Sequence, residues 1–259
     1  MPRRVLVVGG GQAPSGGDEP IGNGRAICLA LARRGAHIAC ADRNLDAAEA
    51  TVARIETEGG TAWAIRGDIS LPQDVVTIID SSQRLLGGLD GLVLNAGISD
   101  RRPMADITAE SWDTIFNVNL RGHMLCVQKA LPVLSTGASI VFISSLAARL
   151  PMARNPTYEA SKAGLAALCR ATALEGHPRD IRANIVRAGL IDTPMGRAAS
   201  AARPERATGA LPFGRQGTAW EIANAVVFLM SSDASYINAV ELPVDGGLGS
   251  GIVRATTRS

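Results

Sequence analysis

The sequence predicts an α/β fold: a doubly wound parallel β-sheet with helices on both faces, in a single domain. Short apolar runs alternate along the chain with longer segments of helical periodicity, which is the pattern of consecutive βαβ units. Within these runs apolar and polar residues do not alternate, as expected for strands that are buried on both sides. The chain has 259 residues and no internal repeat or linker, which fits one domain of this class.

The predicted elements follow the order that this fold requires. The first strand, residues 5–8, is a compact and mostly β-branched run that ends at Gly9. The first helix, residues 25–34, stops at Gly35, a residue that readily adopts the left-handed conformation after a helix. Further strands are predicted at 37–41, 62–65, 91–94, 139–144, 181–186 and 240–244, and further helices at 45–58, 72–86, 112–134, 158–175 and 219–230. Residues 193–217 show little periodicity, and we predict an irregular substrate lid there.

Composition and charge exclude several classes of function. The 26 basic and 24 acidic side chains leave a net charge of +2, too small a surplus to neutralise nucleic-acid phosphates or an acidic membrane surface. The four cysteines form no Cys-x-x-Cys pair and the three histidines are isolated, so we expect neither a disulfide framework nor a metal site. The apolar run near the N-terminus stops at Gly9, too early for a signal peptide or membrane span, and we expect a cytoplasmic protein.

The turn after the first strand has the composition of a dinucleotide site. The strand is followed by Gly9-Gly10-Gly11, and the helix opens with Ile21-Gly22-Asn23-Gly24-Arg25-Ala26. Glycines at such a turn let the backbone approach a pyrophosphate, and the helix N-terminus offers N–H donors and a partial positive charge. Asp42 lies about twenty positions after Gly22, where an acidic residue binds the ribose hydroxyls. Because a carboxylate repels a 2′-phosphate, we predict NAD(H) rather than NADP(H).

Two features of this turn leave alternatives open. Arg43 directly follows Asp42, and its guanidinium could pair with a 2′-phosphate. Residues 12–20 lengthen the turn and are either a surface insertion or a flap over the cofactor. The insertion is the simpler interpretation, since a flexible loop grows at little free-energy cost and Asp18 and Glu19 would lie unfavourably beside a pyrophosphate.

Tyr158 and Lys162 form the candidate catalytic pair. They lie four residues apart on a predicted helix and therefore share one face. An ammonium group near a phenol favours the phenolate and lowers the phenol pKa from its usual value of about 10, which suits a general acid/base. Ser144 and Ser145 end an apolar strand just upstream, where α/β folds place ligand-binding groups. Taken alone, a Tyr–Lys pair also fits an ordinary exposed helix face.

Together these motifs make the sequence closely resemble the short-chain dehydrogenase/reductase family over nearly its whole length. Besides the glycine-rich turn and Tyr158-x-x-x-Lys162, with Ser145 thirteen positions before the tyrosine, the chain carries Asp68-Ile69, Asn95-Ala96-Gly97, Asn117-Val118-Asn119 and Pro243-Val244-Asp245-Gly246-Gly247. The resemblance implies a Rossmann-type fold and an alcohol dehydrogenase or ketoreductase that uses a nicotinamide cofactor. It also implies a homotetramer.

The resemblance implies a role for each matching residue. Tyr158 would exchange a proton with the substrate oxygen, Lys162 would lower the tyrosine pKa and hold the nicotinamide ribose, and Ser145 would orient the substrate oxygen. Asn119 would support a water-linked proton path. The residues expected to contact the cofactor are Gly10, Gly11, Ile21, Gly22, Asp42, Arg43, Asp68, Ile69, Asn95, Ala96, Gly97, Tyr158, Lys162, Gly189, Ile191 and Thr193.

The chain departs from the family pattern at its turns. Gly9-Gly10 replaces the usual Thr-Gly opening, Pro20 stands at the expected first glycine of Gly-Ile-Gly, and Ala188-Gly189 replaces the Pro-Gly pair after the sixth strand. These replacements affect cofactor affinity and loop geometry more than the chemistry.

Two other classes of function compete with a dehydrogenase: a noncatalytic dinucleotide-binding regulator or scaffold, and an isomerase or dehydratase of the same family that acts through transient oxidation. The intact set of Asn119, Ser145, Tyr158 and Lys162 favours an enzyme, because a scaffold need not keep the proton apparatus.

The substrate pocket is expected around Ser99, 147–155, Leu190 and the lid. Long charged side chains in loops are normally solvated, so an acidic substrate is the less favoured prediction. The cations that could bind one are Arg149, Arg154, Arg197, Arg203 and Arg206.

Overall fold

A computed structural model describes residues 2–12, 20–150, 154–203 and 211–253. The strands are β1 (Arg4–Val8), β2 (His37–Asp42), β3 (Thr61–Arg66), β4 (Leu89–Leu94), β5 (Leu134–Ser145), β6 (Arg182–Ala188), β7 (Ile191–Asp192), β8 (Gly217–Thr218) and β9 (Glu241–Val244). The helices are α1 (Asn23–Ala32), α2 (Leu45–Thr57), α3 (Pro72–Leu86), α4 (Ala109–Phe116), α5 (His123–Ala130), α6 (Pro156–Gly176), α7 (Pro194–Ala202) and α8 (Ala219–Met230).

One parallel sheet of seven strands organises the described chain, in the order β3-β2-β1-β4-β5-β6-β9. The chain moves outward from β1 to β3, returns to the other side of β1 with β4, and then moves outward again. Strand β1 therefore pairs with β2 on one side and with β4 on the other. In such a doubly wound sheet, ligands bind at the carboxyl ends of the strands on either side of the reversal. The predicted fold is confirmed.

Strand β1 shows why the apolar runs do not alternate with polar residues. Val5 and Val7 pack into the layer that contains α1 and α8, whereas Leu6 and Val8 pack into the layer that contains α3, α5 and α6. All four side chains are almost completely buried. A strand covered by helices on both faces needs apolar residues at every position.

Glycines let α1 begin against the end of β1. Gly9 has a φ of +77°, which only glycine adopts readily. A Cβ atom at Gly24 would lie 1.9 Å from the carbonyl oxygen of Gly9, so no other residue fits there. The same oxygen accepts a hydrogen bond of 2.7 Å from the Asn95 side chain at the end of β4. The turn, the first helix and the fourth strand thus meet at one point.

The single helix predicted at 112–134 was wrong. Helix α4 gives way at Asn117–Gly122 to a π-helical turn, and α5 ends at Ala130, shortly before Pro132. A π-turn holds one residue more than an α-turn and rotates the following side chains, which apolar periodicity does not reveal. Gly122 permits this wide turn to lie against the loop between β3 and α3. A Cβ atom at Gly122 would come within 2.7 Å of the Ile69 carbonyl oxygen in that loop.

The prediction that 193–217 is irregular was wrong for its first part, which forms α7. Thr193 caps this helix, with its hydroxyl oxygen accepting a 3.0 Å hydrogen bond from the Gly196 N–H, and Pro194 occupies the first turn. Strands β7 and β8 pair and hold the two ends of the lid region together. Of the predicted lid, residues 204–210 lie outside the described residues.

The substitution Gly24→Ala tests the contact between α1 and β1. We expect it to lower the free energy of unfolding by about 3 kcal/mol, because the new methyl group must displace the Gly9 carbonyl. Gly137→Ala is the matched control, since Gly137 has a φ of +76° and open space around it. That control should cost only about 1 kcal/mol of backbone strain. Urea denaturation measures both, and equal losses would contradict the predicted steric contact.

Candidate active site

A cleft of about 670 Å³ lies at the carboxyl ends of the strands on both sides of the sheet reversal. It brings together most of the predicted site residues, which come from seven different loops or element ends. Those that line it are Gly11, Gly22, Asp42, Arg43, Asp68, Ile69, Asn95, Ala96, Gly97, Ser145, Tyr158, Lys162, Gly189, Ile191 and Thr193.

Three predicted residues do not line the cleft. Gly10 faces inward, since a Cβ atom there would lie 2.7 Å and 2.8 Å from the thiol sulfurs of Cys40 and Cys28. Ile21 packs against the hydrophobic core around α1. Asn119 is fully buried. All three residues therefore lie behind the cleft wall, where they take part in packing or hydrogen bonding.

The glycine pair at the helix start is Gly22-Asn23-Gly24, two positions after the predicted one. The family pattern Gly-Ile-Gly was matched to Pro20-Ile21-Gly22, so Asn23 and Gly24 were expected at the helix start but not among the cofactor contacts. In the structure both line the cleft together with Gln12. The close approach of Gly24 to Gly9 identifies it as the glycine that packs the helix against the strand. Its position directly before the apolar helix residues was a sequence feature that could have found it.

The N-terminus of α1 offers an anion site to the cleft. Gly22 is the N-cap residue and provides no capping side chain. Across the described ranges, no hydrogen bond accounts for the backbone N–H groups of Asn23, Gly24 and Arg25. The buried Oδ1 atom of Asn23 also has no partner. Free amides at a helix N-terminus beside a glycine turn fit the pyrophosphate of a dinucleotide.

Asp42 ends β2 beside the glycine turn, and its carboxylate is held in place. One oxygen accepts a 3.0 Å hydrogen bond from the Gly11 N–H, and the other accepts one of 3.0 Å from the Asn44 N–H. Asp42 is half-buried and lines the cleft, whereas Arg43 is exposed at the same rim. The cleft therefore presents a fixed carboxylate and a solvated guanidinium side by side.

Tyr158 and Lys162 lie on the first turns of α6 and face the cleft together. The Lys162 Nζ atom lies 5.9 Å from the centre of the Tyr158 ring. It donates a 3.0 Å hydrogen bond to the carbonyl oxygen of Ile143 in β5. Burial lowers the pKa of Lys162 to about 8, so the ammonium form still predominates at neutral pH. A buried cation thus stands beside the phenol.

The two serines at the end of β5 have different surroundings. The buried Ser144 hydroxyl donates to the backbone oxygen of Lys162 at 3.1 Å and so ties the strand to α6. Ser145 is half-buried, and its Oγ accepts a 3.2 Å hydrogen bond from the Ala147 N–H. Among the described contacts the hydroxyl hydrogen of Ser145 has no acceptor, which leaves it available to a ligand.

Asn119 joins the loop after β4 to α6. Its Oδ1 accepts a 2.8 Å hydrogen bond from the Ile98 N–H, and its Nδ2 donates to the Ile98 oxygen at 2.9 Å and to the Ser161 hydroxyl at 3.0 Å. The π-turn places Asn119 in this buried position. Asn119 therefore fixes the cleft wall next to Lys162, and its expected part in a proton path stays a prediction.

His123 lies next to the site, although in the sequence it is an isolated histidine with no sign of a functional role. It is fully buried, and its Nε2 lies 2.9 Å from the carbonyl oxygen of Ala96. A carbonyl only accepts, so Nε2 carries the hydrogen. Burial and the charge of Lys162 lower the pKa of His123 to about 3. The ring is therefore neutral and supports the Asn95–Gly97 segment from behind. Only the fold places it there.

The remaining part of the cleft is mainly apolar. Its lining includes Leu146, Ala147, Leu190, Met195, Ala199 and Leu211. Ser99 and Asn155 add a polar spot, where the Asn155 side chain donates to the Ser99 hydroxyl at 2.5 Å. Arg101 reaches across the cleft mouth and donates to the Ala198 carbonyl of α7 at 2.7 Å. Beyond the cofactor residues, the cleft thus offers an apolar space, and the hydrogen bond from Arg101 to Ala198 crosses its mouth.

The arginines proposed for an acidic substrate are dispersed. Arg149 and Arg154 are exposed, and neither lines the cleft. Arg197 forms an ion pair of 2.8 Å with Asp192 outside it. Arg203 does line the cleft, and Arg206 lies outside the described residues. Of the four that the structure describes, only Arg203 lies at the cleft.

The described residues include no cluster of metal ligands and no helix that could cross a membrane. Over the described parts of the chain, His, Cys, Asp and Glu side chains form no group of three that is arranged to hold a metal ion. The four cysteines, Cys28, Cys40, Cys126 and Cys169, are buried free thiols. No helix within those ranges combines the length and the apolar character needed to cross a bilayer.

Comparison with known proteins relates this site to characterised relatives. The profile of a family described as "Enoyl-(Acyl carrier protein) reductase" matches residues 20–249. A 2,5-dichloro-2,5-cyclohexadiene-1,4-diol dehydrogenase of Sphingobium indicum is 34% identical over 233 residues, covering 89% of this chain and 93% of the relative. A cyclopentanol dehydrogenase of Comamonas sp. is 33% identical over 247 residues, covering 94% and 95%.

A solved structure shows the same fold. The short-chain dehydrogenase of Burkholderia cenocepacia, crystallised in complex with NADP, superimposes with a TM-score of 0.83 and is 35% identical, with 94% of this chain and 96% of that chain covered. These matches cover nearly the whole length of this chain and of the proteins that it resembles. This chain belongs to the short-chain dehydrogenase/reductase family.

Proposed function

We propose that this protein is an NAD(H)-dependent oxidoreductase that interconverts a secondary alcohol and a ketone. The observation that carries the proposal is that Ser145, Tyr158 and Lys162 line the same cleft as the free amides of α1 and the Asp42 carboxylate. A proton-transfer group and a dinucleotide site thus meet in one space, as hydride transfer to a carbonyl requires. The family membership of the chain supports the same reaction class.

A nicotinamide held in the cleft would supply the hydride to the carbonyl carbon or accept it from the alcohol carbon, and the protein would transfer the proton. In the direction of reduction, the Tyr158 hydroxyl gives its proton to the carbonyl oxygen; in oxidation, the phenolate takes the proton from the alcohol. The buried Lys162 ammonium stabilises the phenolate form. The hydroxyl hydrogen of Ser145 binds the substrate oxygen and holds it towards the tyrosine.

The dinucleotide is held along the cleft from α1 to α6. The free N–H groups of α1 bind the pyrophosphate, Asp42 accepts hydrogen bonds from the adenine ribose, and Asp68 and Ile69 contact the adenine. Lys162 binds the nicotinamide ribose, and Thr193 contacts the carboxamide. The fixed carboxylate of Asp42 supports NAD(H) as the preferred form, since it repels a 2′-phosphate. Arg43 opposes this only weakly, because it is exposed at the rim.

We propose a neutral, largely apolar alcohol or ketone as the substrate. The apolar lining beyond the cofactor residues would bind a hydrocarbon ring or short chain, and the dispersed arginines offer no paired anion site. The relatives named for cyclopentanol and for a dichlorocyclohexadienediol act on ring alcohols of this kind. Helix α7 borders this space through Met195 and Ala199 and forms part of the substrate lid.

The alternative functions keep the cofactor and change the chemistry. A regulator or scaffold would bind NADH without turnover, and an isomerase or dehydratase would return the cofactor to its starting state in each cycle. No described contact favours either of them over a dehydrogenase.

The substitution Tyr158→Phe tests the proposed proton transfer. We expect kcat for reduction of a panel of cyclic ketones with NADH to fall about 10³-fold, because the proton donor is lost while the ring remains. The Kd for NADH, measured by fluorescence titration, should change less than about threefold. Tyr236→Phe is the matched control, since Tyr236 is fully exposed and does not line the cleft. Undiminished turnover in Tyr158→Phe would remove Tyr158 from the mechanism.

The substitution Asp42→Asn tests the cofactor preference. It removes the negative charge and keeps the shape, so we expect the ratio of kcat/KM with NADPH to kcat/KM with NADH to rise about tenfold or more. Asp46→Asn is the control, because it removes an exposed carboxylate near the start of α2 that does not line the cleft. A wild-type enzyme that already prefers NADPH would overturn the assignment.

We also propose a homotetramer assembled through helices on the protein surface. Large apolar side chains remain exposed there: Met124 on α5 at 37%, Leu174 on α6 at 70% and Phe228 on α8 at 40%. Burying such residues between subunits stabilises an oligomer. Sedimentation velocity should show a species of four chains, and Leu174→Glu with Phe228→Glu should dissociate it. A monomer or dimer for the unmodified protein would contradict this assembly.

A further inference from the structure

The Gln12 side chain closes the base of the lengthened glycine turn. Its Oε1 atom accepts a 2.7 Å hydrogen bond from the Gly22 N–H, and its Nε2 atom donates one of 3.1 Å to the Pro20 carbonyl oxygen. An N–H requires an acceptor and a carbonyl requires a donor, so the two partners define the orientation of the amide. One side chain thus joins the two ends of the segment between β1 and α1.

The backbone of Gln12 is itself anchored. Its N–H donates a 3.1 Å hydrogen bond to the Ala47 oxygen of α2, and its carbonyl oxygen accepts a hydrogen bond from the Arg25 guanidinium. Arg25 also donates to the Thr51 hydroxyl at 3.0 Å, and Thr51 donates to the Gly10 oxygen at 3.1 Å. Hydrogen bonds to α1 and α2 therefore hold the backbone of Gln12 in place, and its carboxamide extends from this fixed backbone.

The bond to Gly22 acts on the residue where α1 begins. Gly22 is the N-cap residue, and a glycine cannot supply a capping side chain of its own. Gln12 engages the N–H of Gly22, and the N–H groups of the next three residues have no partner among the described contacts. Two of those residues, Asn23 and Gly24, line the cleft. The position of Gly22 in turn determines where these amides point. Gln12 lines the cleft at the same place.

We propose that Gln12 is a positioning residue of the dinucleotide site, which holds the first amides of α1 where the cofactor pyrophosphate binds. The inference rests on the proposed function. In a short glycine turn the covalent chain fixes the distance between strand and helix, whereas a longer turn loses this constraint and gains conformational freedom. The Gln12 bridge supplies such a constraint with two hydrogen bonds to residues at the start of α1.

Only a glutamine supplies both bonds at this length. Glutamate keeps an acceptor for Gly22, loses the donor to Pro20 and adds a negative charge beside the pyrophosphate. Alanine removes both bonds without adding charge. The substitutions Gln12→Ala and Gln12→Glu therefore separate the loss of the bridge from the effect of charge. Gln73→Ala is the matched control, since Gln73 is exposed on α3 and does not line the cleft.

The test compares ligands with and without the pyrophosphate. Calorimetric titration with ADP-ribose should give a Kd about tenfold higher for Gln12→Ala than for the wild type, and a still higher one for Gln12→Glu. Adenosine, measured as a competitor of NADH fluorescence, should bind all variants within about twofold. In turnover the loss should fall on the KM for NADH rather than on kcat. Gln73→Ala should bind like the wild type.

Two results would overturn the inference. ADP-ribose affinity that is unchanged in both Gln12 variants would show that the bridge does not position the amides. An equal loss of affinity for adenosine and ADP-ribose would show general damage to the cleft, as would a fall in kcat. If the wild type binds neither NADH nor ADP-ribose, the proposed function itself fails. Binding of both by the wild type, with unaltered binding by the variants, refutes the role of Gln12 alone.

Discussion

The close approach of α1 to the end of β1 is the contact on which the rest of this structure depends. The Gly24 backbone lies directly against the carbonyl group of Gly9, and the Asn95 side chain binds the same group from β4. The contact lies at the reversal of strand order, so it determines both the direction of the helix amides and the width of the cleft. Each side chain that pins the turn, Asp42 and Gln12 among them, acts on this one geometry.

The opposite end of the cleft depends on the bond network between β5 and α6. Ser144 donates to the backbone of Lys162, and the Lys162 side chain donates back to Ile143. These reciprocal bonds fix the helix relative to the strand, so that Ser145 and Tyr158 face the same space. Because Lys162 is buried, its charge acts through a medium of low polarity, in which it stabilises a nearby phenolate far more strongly than it would in water.

Between these two ends, buried polar side chains hold the cleft wall. Asn119 grips the Ile98 peptide on both sides, and the neutral His123 supports Ala96 from behind. Both arise from the π-turn and the helix that follows it. A site that must hold a cofactor and a substrate in reacting geometry needs such rigid support, because small displacements of the reacting groups lower the rate strongly.

The sequence by itself determined the parallel doubly wound fold and most of its elements, and it placed Tyr158 and Lys162 on one helix face. Strand burial, helix spacing and the Tyr158-x-x-x-Lys162 interval are local patterns. Helix α3 was predicted to the residue, as Pro72 starts it and Gly87, with a φ of +70°, ends it. Only the tertiary structure decided the packing of Gly24 against Gly9, the π-turn that buries Asn119, the helix in the lid region and the bridge made by Gln12. Each of these depends on atoms from distant segments meeting at one point, and such contacts leave no periodic trace in the chain.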